Sequence, residues 1–370
     1  MVILLRIYKL IMNITYFFFK LMPTKKNRII FLSRQDNVPS IDFIYMIDDI
    51  NKRYPNYEVK VLCKRMEKTN LKQIISYVLH PFEQLYYLAT SSICITDGYQ
   101  MTISPLKHKK DLKIIQIWHS LGAVKKFGYQ IIKTEKEKKI AKIMKMHKGY
   151  DVIFSGSESM TPYFAKAFNY DETKFIPYGL PRIDYLLKTK KENKEKVYKK
   201  YPNLKNKKVV LYVPTFRTYD EYKIEELIKE FKNSKFELII KKHPRMKVVV
   251  PKKYSYEKVS SLELLSIADF VVTDYSAISI EAAILDKPVI LYTYDYEKYN
   301  EIEGINPNIY EDLPGYVFNT AEEVFKCIKE NKYDKDILKR YKEKYVTNTD
   351  GTATKKIVDY ILGGKNEEEN

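Results

Sequence analysis

Two histidines stand directly after apolar, strand-like segments, where an imidazole is well placed to move protons. His119 follows LKIIQI and precedes SLGAVKKFGY, and His243 follows FELIIKK and precedes Pro244. An imidazole near its usual pKa of about 6.5 accepts a proton from a hydroxyl at neutral pH. The chain has only five histidines. Two of them at strand ends favour catalysis over the common structural role of satisfying buried backbone groups.

Basic and hydroxyl side chains follow other strand-like segments. Arg217 ends PTFR after VVLYV, and Lys241 lies two residues before His243. Because a guanidinium grips phosphate at two points, this group can hold a phosphate and protonate a leaving phosphate oxygen. The turn TDYSAIS offers Asp274 or Ser276 as a helix cap, and the helix start after it is a candidate phosphate site. A solvated lysine pair and simple capping are the structural alternatives.

The scaffold that must position these residues is predicted to be α/β. Strand-like runs alternate with helix-length segments, which is typical of βα units on a parallel sheet. A charge-dense stretch at 188–208 separates two such series. The sequence predicts two Rossmann-like domains facing a cleft, and ligands of such sheets bind at the carboxyl ends of the strands. The expected boundaries are an N-terminal helix at 1–22, domains at 23–190 and 206–350, and a C-terminal helix with an acidic tail at 351–370.

The charge distribution narrows the classes of partner. The formal net charge is +18, of which +16 lies in residues 1–190 and +2 in residues 191–370. A merely lysine-rich composition would spread the excess evenly. The first half therefore favours a polyanion such as nucleic acid, an acidic membrane surface or a phosphorylated substrate. The segment 133–148 carries seven lysines against two glutamates and is predicted to face a membrane or, alternatively, solvent.

The first 22 residues, MVILLRIYKLIMNITYFFFKLM, form an amphipathic helical pattern. Its polar positions are Arg6, Lys9, Asn13 and Lys20, which lie within roughly 60° of one another on a helix. The pattern favours a helix in the plane of a membrane surface over a span or a signal peptide. A helix buried against the protein itself is the alternative.

Several enzyme classes are disfavoured by missing motifs. The sequence contains no GxGxxG, no Walker A loop and no His/Cys/Asp set with metal-ligand spacing. The missing motifs argue against a dehydrogenase, a kinase and a zinc hydrolase, and no metal site is predicted. Cys63, Cys94 and Cys327 are too few and too scattered for a disulfide framework, which favours a reducing cytoplasm.

Taken in order, WHSLGAVKK, SGSES, GLPRID, VLYVPTFR, KKHP and ADFVVTDYSAISIEAAILDKPVILYTYD resemble the CDP-glycerol glycerophosphotransferases. These enzymes build wall teichoic acids and related polyol-phosphate polymers of the cell wall in Gram-positive bacteria. The resemblance implies a GT-B architecture with an N-terminal acceptor domain and a C-terminal nucleotide-donor domain. It also implies peripheral attachment to the cytoplasmic face of the membrane and no nicotinamide or flavin cofactor.

The resemblance also implies roles for individual residues. His119 resembles the family's motif histidine, the base that deprotonates the acceptor hydroxyl, and His243 resembles the second essential histidine beside the donor pyrophosphate. Lys125 and Lys126 would add a positive field for the acceptor or its phosphate. The family usually reads WHG, whereas here the glycine is Gly122. Residues that match or neighbour the donor pocket are Arg182, Pro214, Thr215, Arg217, Lys241, Asp269, Asp274 and Ser276.

The expected reaction moves glycerol phosphate from CDP-glycerol to a hydroxyl of a polyprenyl-diphosphate-linked saccharide at the membrane, releasing CMP. The alternatives are ribitol phosphate transfer from CDP-ribitol and a GT-B glycosyltransferase that uses a nucleotide sugar. A third, from another class, is a non-catalytic basic protein that binds nucleic acid or anionic lipid. The two strand-end histidines argue against this last class, and nucleic acid is not an expected partner.

Overall fold

The computed structural model describes residues 2–65, 71–219 and 221–363. The chain forms two compact units. Unit 1 consists of residues 1–120, 127–182 and 352–370, and unit 2 consists of residues 121–126 and 183–351. The α/β class predicted from the alternating pattern is confirmed.

The regular elements alternate along the chain as expected for βα units. The strands are β1 (Lys25–Ser33), β2 (Glu58–Cys63), β3 (Ser91–Thr96), β4 (Lys113–Gln116), β5 (Val152–Phe154), β6 (Phe175–Ile176), β7 (Lys208–Tyr212), β8 (Phe236–Ile240), β9 (Phe270–Thr273), β10 (Val289–Tyr292) and β11 (Val317–Phe318). The helices are α1 (Val2–Phe19), α2 (Ile41–Arg53), α3 (Leu71–Thr90), α4 (Glu135–Ile143), α5 (Thr161–Phe168), α6 (Pro181–Lys188), α7 (Lys190–Lys200), α8 (Ile224–Phe231), α9 (Ser261–Leu265), α10 (Ile278–Ile284), α11 (Tyr296–Ile302), α12 (Ile309–Asp312), α13 (Ala321–Glu330), α14 (Lys335–Tyr345) and α15 (Ala353–Leu362).

Unit 1 is built on a six-stranded sheet of order β2-β1-β3-β4-β5-β6, in which all neighbours pair in parallel. Strand β3 is buried along its whole length, as expected of a central parallel strand covered on both faces. Because the strands are parallel, their carboxyl ends share one edge. Ser33, Asp97 and Gln116 lie at or next to that edge.

Unit 2 is built on a five-stranded parallel sheet of order β11-β10-β9-β7-β8. Its core includes Val210, Leu238, Val272 and Ile290 from the four longer strands. The order places the ends of β10, β9, β7 and β8 side by side. The segments that follow these strands hold most of the residues predicted to bind the donor.

Helix α1 packs on the rest of unit 1 through Lys9 and Lys20 of its polar stripe, whereas Arg6 and Asn13 are exposed. Lys9 Nζ donates to the carbonyl oxygen of Ile143 at 3.0 Å, and Lys20 Nζ donates to that of Lys107 at 3.2 Å. Met12 and Tyr16 are buried on this side. The opposite, apolar side of the helix is exposed at Ile3, Leu4, Ile7, Leu10, Ile11, Ile14, Phe17 and Phe18. Burial of the apolar face against the protein, the alternative reading of this helix, is therefore wrong.

The units depart from the predicted boundaries in three places. The charge-dense stretch at 188–208, expected to separate the two series, contains helix α7 and lies inside unit 2, which resumes at Ile183. Helix α15 belongs to unit 1, where it packs on α2 and where Asp359 pairs with Arg53. Residues 121–126 belong to unit 2 although they follow His119 directly. Contacts distant in sequence decide all three.

Candidate active site

His119 lies just beyond β4 at the carboxyl edge of the unit 1 sheet. Its Nδ1 is 2.9 Å from the carbonyl oxygen of Asp97 and 3.3 Å from Nε2 of Gln35. A carbonyl can only accept, so the shorter contact assigns the proton to Nδ1. Nε2 then carries the unprotonated lone pair. This is the tautomer that a base acting through Nε2 requires.

The backbone before His119 is held in an unusual conformation. Trp118 has φ of 57°, in the left-handed region that bulky residues rarely adopt. Its N–H donates to Oε1 of Gln116 at 2.8 Å. Its ring stacks on Phe127, with centroids 4.6 Å apart, and meets Phe168 edge-on at 5.1 Å. Strain of this kind persists only where packing over-determines it, and it is concentrated at functional sites.

Asp97 is a buried carboxyl that sequence reasoning missed. It is 1% exposed, and its Oδ2 accepts a hydrogen bond from the Ser33 hydroxyl at 2.8 Å. Its Oδ1 has no hydrogen-bond partner among the described residues. Burial raises the pKa of Asp97 to about 7. The only sequence signal was its position directly after a strand, which it shares with the clusters that were singled out.

Arg182 is placed apart from the other predicted donor-binding residues. It lies at the start of α6 within unit 1, whereas the others lie in unit 2. Its Nε and Nη2 donate to the buried carboxylate of Asp42, which also accepts from the Arg182 N–H at 2.8 Å. The guanidinium therefore joins α6 to α2.

Arg217 is fully buried in unit 2. Its side chain is 0% exposed and forms ion pairs with Asp274 and Asp295. Nη1 also donates to the carbonyl oxygen of Thr215 at 2.8 Å. Asp274 is itself buried and accepts from the Thr215 N–H at 3.0 Å. Both side chains are therefore buried and bound within unit 2, and their predicted place at the donor pocket remains a prediction.

His243 carries its proton on the nitrogen opposite to that of His119. The backbone N–H of Arg245 donates to Nδ1 of His243 at 3.2 Å, so the neutral ring is protonated at Nε2. The ring lies beside Phe216, with centroids 5.9 Å apart, and the Arg245 guanidinium lies 4.4 Å above the same Phe216 ring. Nε2 of His243 can therefore donate to a phosphate oxygen.

Lys125 lies in a segment that the tertiary structure assigns to unit 2. Asn306 Nδ2 donates to the carbonyl oxygens of Ala123 and Lys125 at 2.6 and 3.2 Å, and the Lys126 N–H donates to that of Gly304 at 3.0 Å. Lys126 is exposed. The predicted pair of lysines is thereby split, with only Lys125 directed into unit 2.

The ammonium of Lys125 is held among charges without an ion pair of its own. Burial lowers its pKa, the charges of Asp274 and Glu303 oppose this shift, and those of Arg245 and Arg217 add to it. Within the described part of the chain, neither Lys125 nor Arg245 has a carboxylate at ion-pair distance. Two cations without a carboxylate at ion-pair distance suit the binding of an anion. Sequence reasoning missed Arg245, although it follows KKHP directly.

The remaining predicted residues fall into two groups. Pro214, Thr215, Lys241 and Ser276 lie at the carboxyl edge of the unit 2 sheet, where the Thr215 hydroxyl is buried without a partner among the described residues. Lys241 Nζ points to the carbonyl oxygens of Tyr256 and Glu257 at 3.5 and 3.4 Å. Asp269 lies at the opposite edge, before β9, where its Oδ2 accepts from the Val209 N–H at 2.7 Å. The length of β9 separates Asp269 from Asp274, and the predicted place of Asp269 in or beside the donor pocket remains a prediction.

No group of three or more His, Cys, Asp or Glu side chains converges as a metal site among the described residues. The side chains described at the carboxyl ends of the strands include the imidazoles of His119 and His243 and the guanidinium of Arg245. Such a set suits proton transfer and the binding of phosphate.

Comparisons with known proteins agree with this chemistry. Residues 14–363 match the sequence model of the family described as CDP-glycerol:poly(glycerophosphate) glycerophosphotransferase. The chain is 30% identical to a teichoic acid poly(ribitol-phosphate) polymerase of Bacillus spizizenii, over 96% of this chain and 59% of the relative. It is also 30% identical to a teichoic acid glycerol-phosphate primase of Bacillus subtilis, over 76% of each chain. The chain thus spans less than two thirds of that polymerase and about three quarters of that primase.

A solved structure of the wall teichoic acid polymerase TagF has the same fold. The TM-score is 0.76 at 20% identity, and the match covers 100% of this chain and 98% of the other. The two parallel sheets and the shared fold define a GT-B-like α/β architecture. The matched family is one of transferases of substituted phosphate groups. The chain belongs to the CDP-glycerol glycerophosphotransferase family, which includes teichoic acid polyol-phosphate primases and polymerases. The resemblance noted from the ordered motifs is confirmed.

Proposed function

We propose that the chain transfers glycerol phosphate from CDP-glycerol to a hydroxyl of a polyprenyl-diphosphate-linked saccharide, with release of CMP. The acceptor oxygen forms a bond to the phosphorus that carries glycerol, and the bond from that phosphorus to the CMP oxygen breaks. The observation that carries the proposal is the tautomer of His119, whose Nδ1 faces the Asp97 carbonyl at 2.9 Å. A base that accepts through Nε2 is what the acceptor hydroxyl needs.

His119 is the proposed base. Its Nε2 takes the proton as the acceptor oxygen attacks, and the Asp97 carbonyl stabilises the imidazolium by accepting from Nδ1. This arrangement resembles other catalytic imidazoles, which are oriented by an acceptor on the second ring nitrogen. The packing of Trp118 against Phe127 fixes the backbone that presents the ring.

His243, Lys125 and Arg245 are the proposed groups for the donor. The Nε2–H of His243 is assigned to the leaving CMP phosphate, and the two cations are assigned to the diphosphate charge. Phosphoryl transfer depends mainly on positioning and on stabilising charge, so unpaired cations at a strand edge support this assignment. A structure of TagF was obtained after soaking with CDP-glycerol. That finding supports a CDP-alditol as the donor here.

Ribitol phosphate transfer from CDP-ribitol is the second candidate. It is favoured by the 30% identity to a poly(ribitol-phosphate) polymerase over 96% of this chain. Glycerol and ribitol differ by two carbons and two hydroxyls, so both donors present the same diphosphate to the cations. The groups proposed for proton transfer and diphosphate binding would serve either donor.

We also propose peripheral binding to the cytoplasmic face of the cell membrane through α1. By length and composition α1 is apolar enough to cross a membrane, but Tyr16 and Lys9 join its polar side to unit 1, which supports an in-plane position. Helix α3 packs against α1 and exposes Ile75, Val78 and Leu79. Exposed lysines of α4 lie next to α1. An apolar surface beside lysines suits an anionic bilayer.

The test is incubation of the protein with CDP-glycerol or CDP-ribitol and a lipid-linked disaccharide, followed by mass analysis of the products. We expect CMP and an acceptor heavier by one or more polyol phosphates, with one donor preferred. The His119→Asn variant serves as the matched blank. Release of CMP from neither donor, or equal release by the variant, would overturn the proposal.

A further inference from the structure

Asp295 holds the buried Arg217 from the side opposite to Asp274. Its Oδ1 accepts from Arg217 Nη2 at 2.9 Å and from the Tyr275 hydroxyl at 3.0 Å. Its Oδ2 accepts from Arg217 Nε and from the Tyr219 hydroxyl. Asp295 stands at the start of α11, where an aspartate usually caps the helix, yet its side chain makes no capping hydrogen bond. The carboxylate instead accepts hydrogen bonds from the side chains of Arg217, Tyr219 and Tyr275.

The network joins the ends of three neighbouring strands. Arg217 follows β7, Asp274 follows β9 and Asp295 follows β10, and these strands are adjacent in the sheet. The rings of Tyr222, Tyr275, Tyr294 and Tyr299 surround the guanidinium, with centroids 4.8 to 5.7 Å away. This enclosure holds the guanidinium in one position. If the guanidinium moved away from either aspartate, that buried carboxylate would lose its counter-charge, which is energetically costly.

Phe216, the residue before Arg217, links this network to the proposed donor site. Phe216 contacts the imidazole of His243 at 5.9 Å between centroids, and the Arg245 guanidinium stacks on Phe216 at 4.4 Å. Arg217 and Phe216 are consecutive residues of the loop after β7. Arg217 is bound by Asp274 and Asp295, and Phe216 contacts the two groups assigned to the donor.

We propose that Asp295 is a positioning residue for His243 and Arg245, acting through Arg217 and Phe216. Asp295 touches no substrate in this scheme. The inference rests on the proposed function for its kinetic consequence, but its structural consequence, the placement of the His243 ring, does not depend on any activity. It also gives Arg217 a role other than the direct grip on phosphate expected from the sequence.

The test is the Asp295→Asn variant, measured in two ways. The first is the NMR spectrum of the histidine rings, which is readable because the chain has five histidines. We expect the His243 resonances to shift or broaden while those of His108 and His119 in unit 1 stay in place. The second is steady-state kinetics, in which we expect kcat/KM for the CDP-alditol to fall by about 10- to 100-fold, as for a misplaced catalytic group. The KM for the acceptor should change less than about twofold.

Asp312→Asn is the matched control. Asp312 is also a largely buried carboxylate of unit 2, and it pairs with Lys344 and the Tyr345 hydroxyl on α14. We expect this variant to lose stability but to keep the His243 resonances and the donor KM. Tyr219→Phe removes one hydrogen bond to Asp295 without changing charge. It therefore tests the positioning role of Asp295 if Asp295→Asn does not fold. It should lower donor kcat/KM a few-fold.

The outcomes separate the two proposals. Unmoved His243 resonances in Asp295→Asn, or in Tyr219→Phe if the first variant is unfolded, would overturn the positioning role. Equal kinetic effects of Asp295→Asn and Asp312→Asn would also overturn it, since they would reflect stability alone. If the wild-type protein turns over no CDP-alditol while the His243 resonances still move, the proposed function fails and the positioning role stands.

Discussion

Nδ1 of His119 lies 2.9 Å from the backbone carbonyl oxygen of Asp97. A main-chain acceptor fixes the imidazole tautomer without adding a charge beside it. In the neutral ring Nε2 is therefore the unprotonated nitrogen, and the carbonyl can still accept from Nδ1–H when the ring becomes an imidazolium.

Replacing His119 with Asn should abolish transfer while leaving donor binding nearly intact. Loss of a general base typically lowers the rate by about 10² to 10⁴-fold. The donor affinity should stay within a few-fold, because the base acts on the acceptor proton. CMP release and CDP-glycerol titration measure the two effects. His80→Asn, which changes a histidine of α3, is the control expected to keep full activity.

Lys125→Met should weaken CDP-glycerol binding by about 10-fold or more, because it removes a cation that has no carboxylate partner among the described residues. The adjacent Lys126→Met removes the same charge from an exposed position and should have an effect below about twofold. Calorimetric titration with CDP-glycerol and with CMP distinguishes a diphosphate contact from a general field. Equal weakening by both variants would favour the general field.

Gly128→Ala should destabilise unit 1 strongly. Gly128 has φ of +59°, and a Cβ there would lie 2.3 Å from the carbonyl oxygen of Ala167. The left-handed backbone alone costs about 1 kcal/mol with a side chain, and the overlap adds about 1 to 3 kcal/mol. Gly149→Ala is the control, because Gly149 has φ of +90° but no atom nearer than 3.8 Å. Urea unfolding of both variants should show the larger loss at Gly128.

His147 should make unit 1 less stable as the pH falls. Its ring is buried on Phe168, and burial lowers its pKa to about 3. The unfolded chain takes up this proton below about pH 6.5, so stability is lost from there down toward pH 3. Asp97 acts in the opposite sense, since its raised pKa favours the folded state at low pH. The contribution of His147 to the pH dependence must therefore be measured as the difference in unfolding free energy between the wild type and a His147 variant.

The relevant measurement compares the unfolding free energy of the wild type with that of His147→Asn across pH 4.5 to 8. The variant loses packing at every pH, but its deficit should shrink by about 2 kcal/mol between pH 7 and pH 4.5. A deficit that stays constant would show that His147 titrates alike in the folded and unfolded states.

Replacing Leu4, Leu10 and Phe17 together by Ser should release the protein from anionic vesicles. These side chains lie on the exposed face of α1, and each contributes about 1.5 to 3 kcal/mol if buried in lipid. Met12 and Tyr16, which pack on unit 1, are untouched, so the fold should persist. The control changes exposed residues elsewhere, Val38, Ile131 and Val249, to Ser. Equal sedimentation of the two triple variants would contradict the proposed surface.

The sequence by itself determined the local elements and the position of the chemistry along the chain. Apolar runs predicted the strands and the helix-length segments between them, because periodicity is encoded within a few positions. His119 and His243 were found because carboxyl ends of parallel strands are visible as polar residues after apolar runs. The ordered motifs predicted the family.

The tertiary structure alone decided what each charged side chain faces. Arg217 has the sequence context of a phosphate ligand, yet two carboxylates from 57 and 78 residues further on bury it. Lys125 and Lys126 are neighbours, but Asn306 and Gly304 direct the segment so that one is half-buried and the other exposed. Helix α1 shows the same limit, since its pattern cannot tell which face the protein covers. Local periodicity fixes backbone conformation, whereas the partner of a long side chain depends on contacts between distant residues that no short pattern contains.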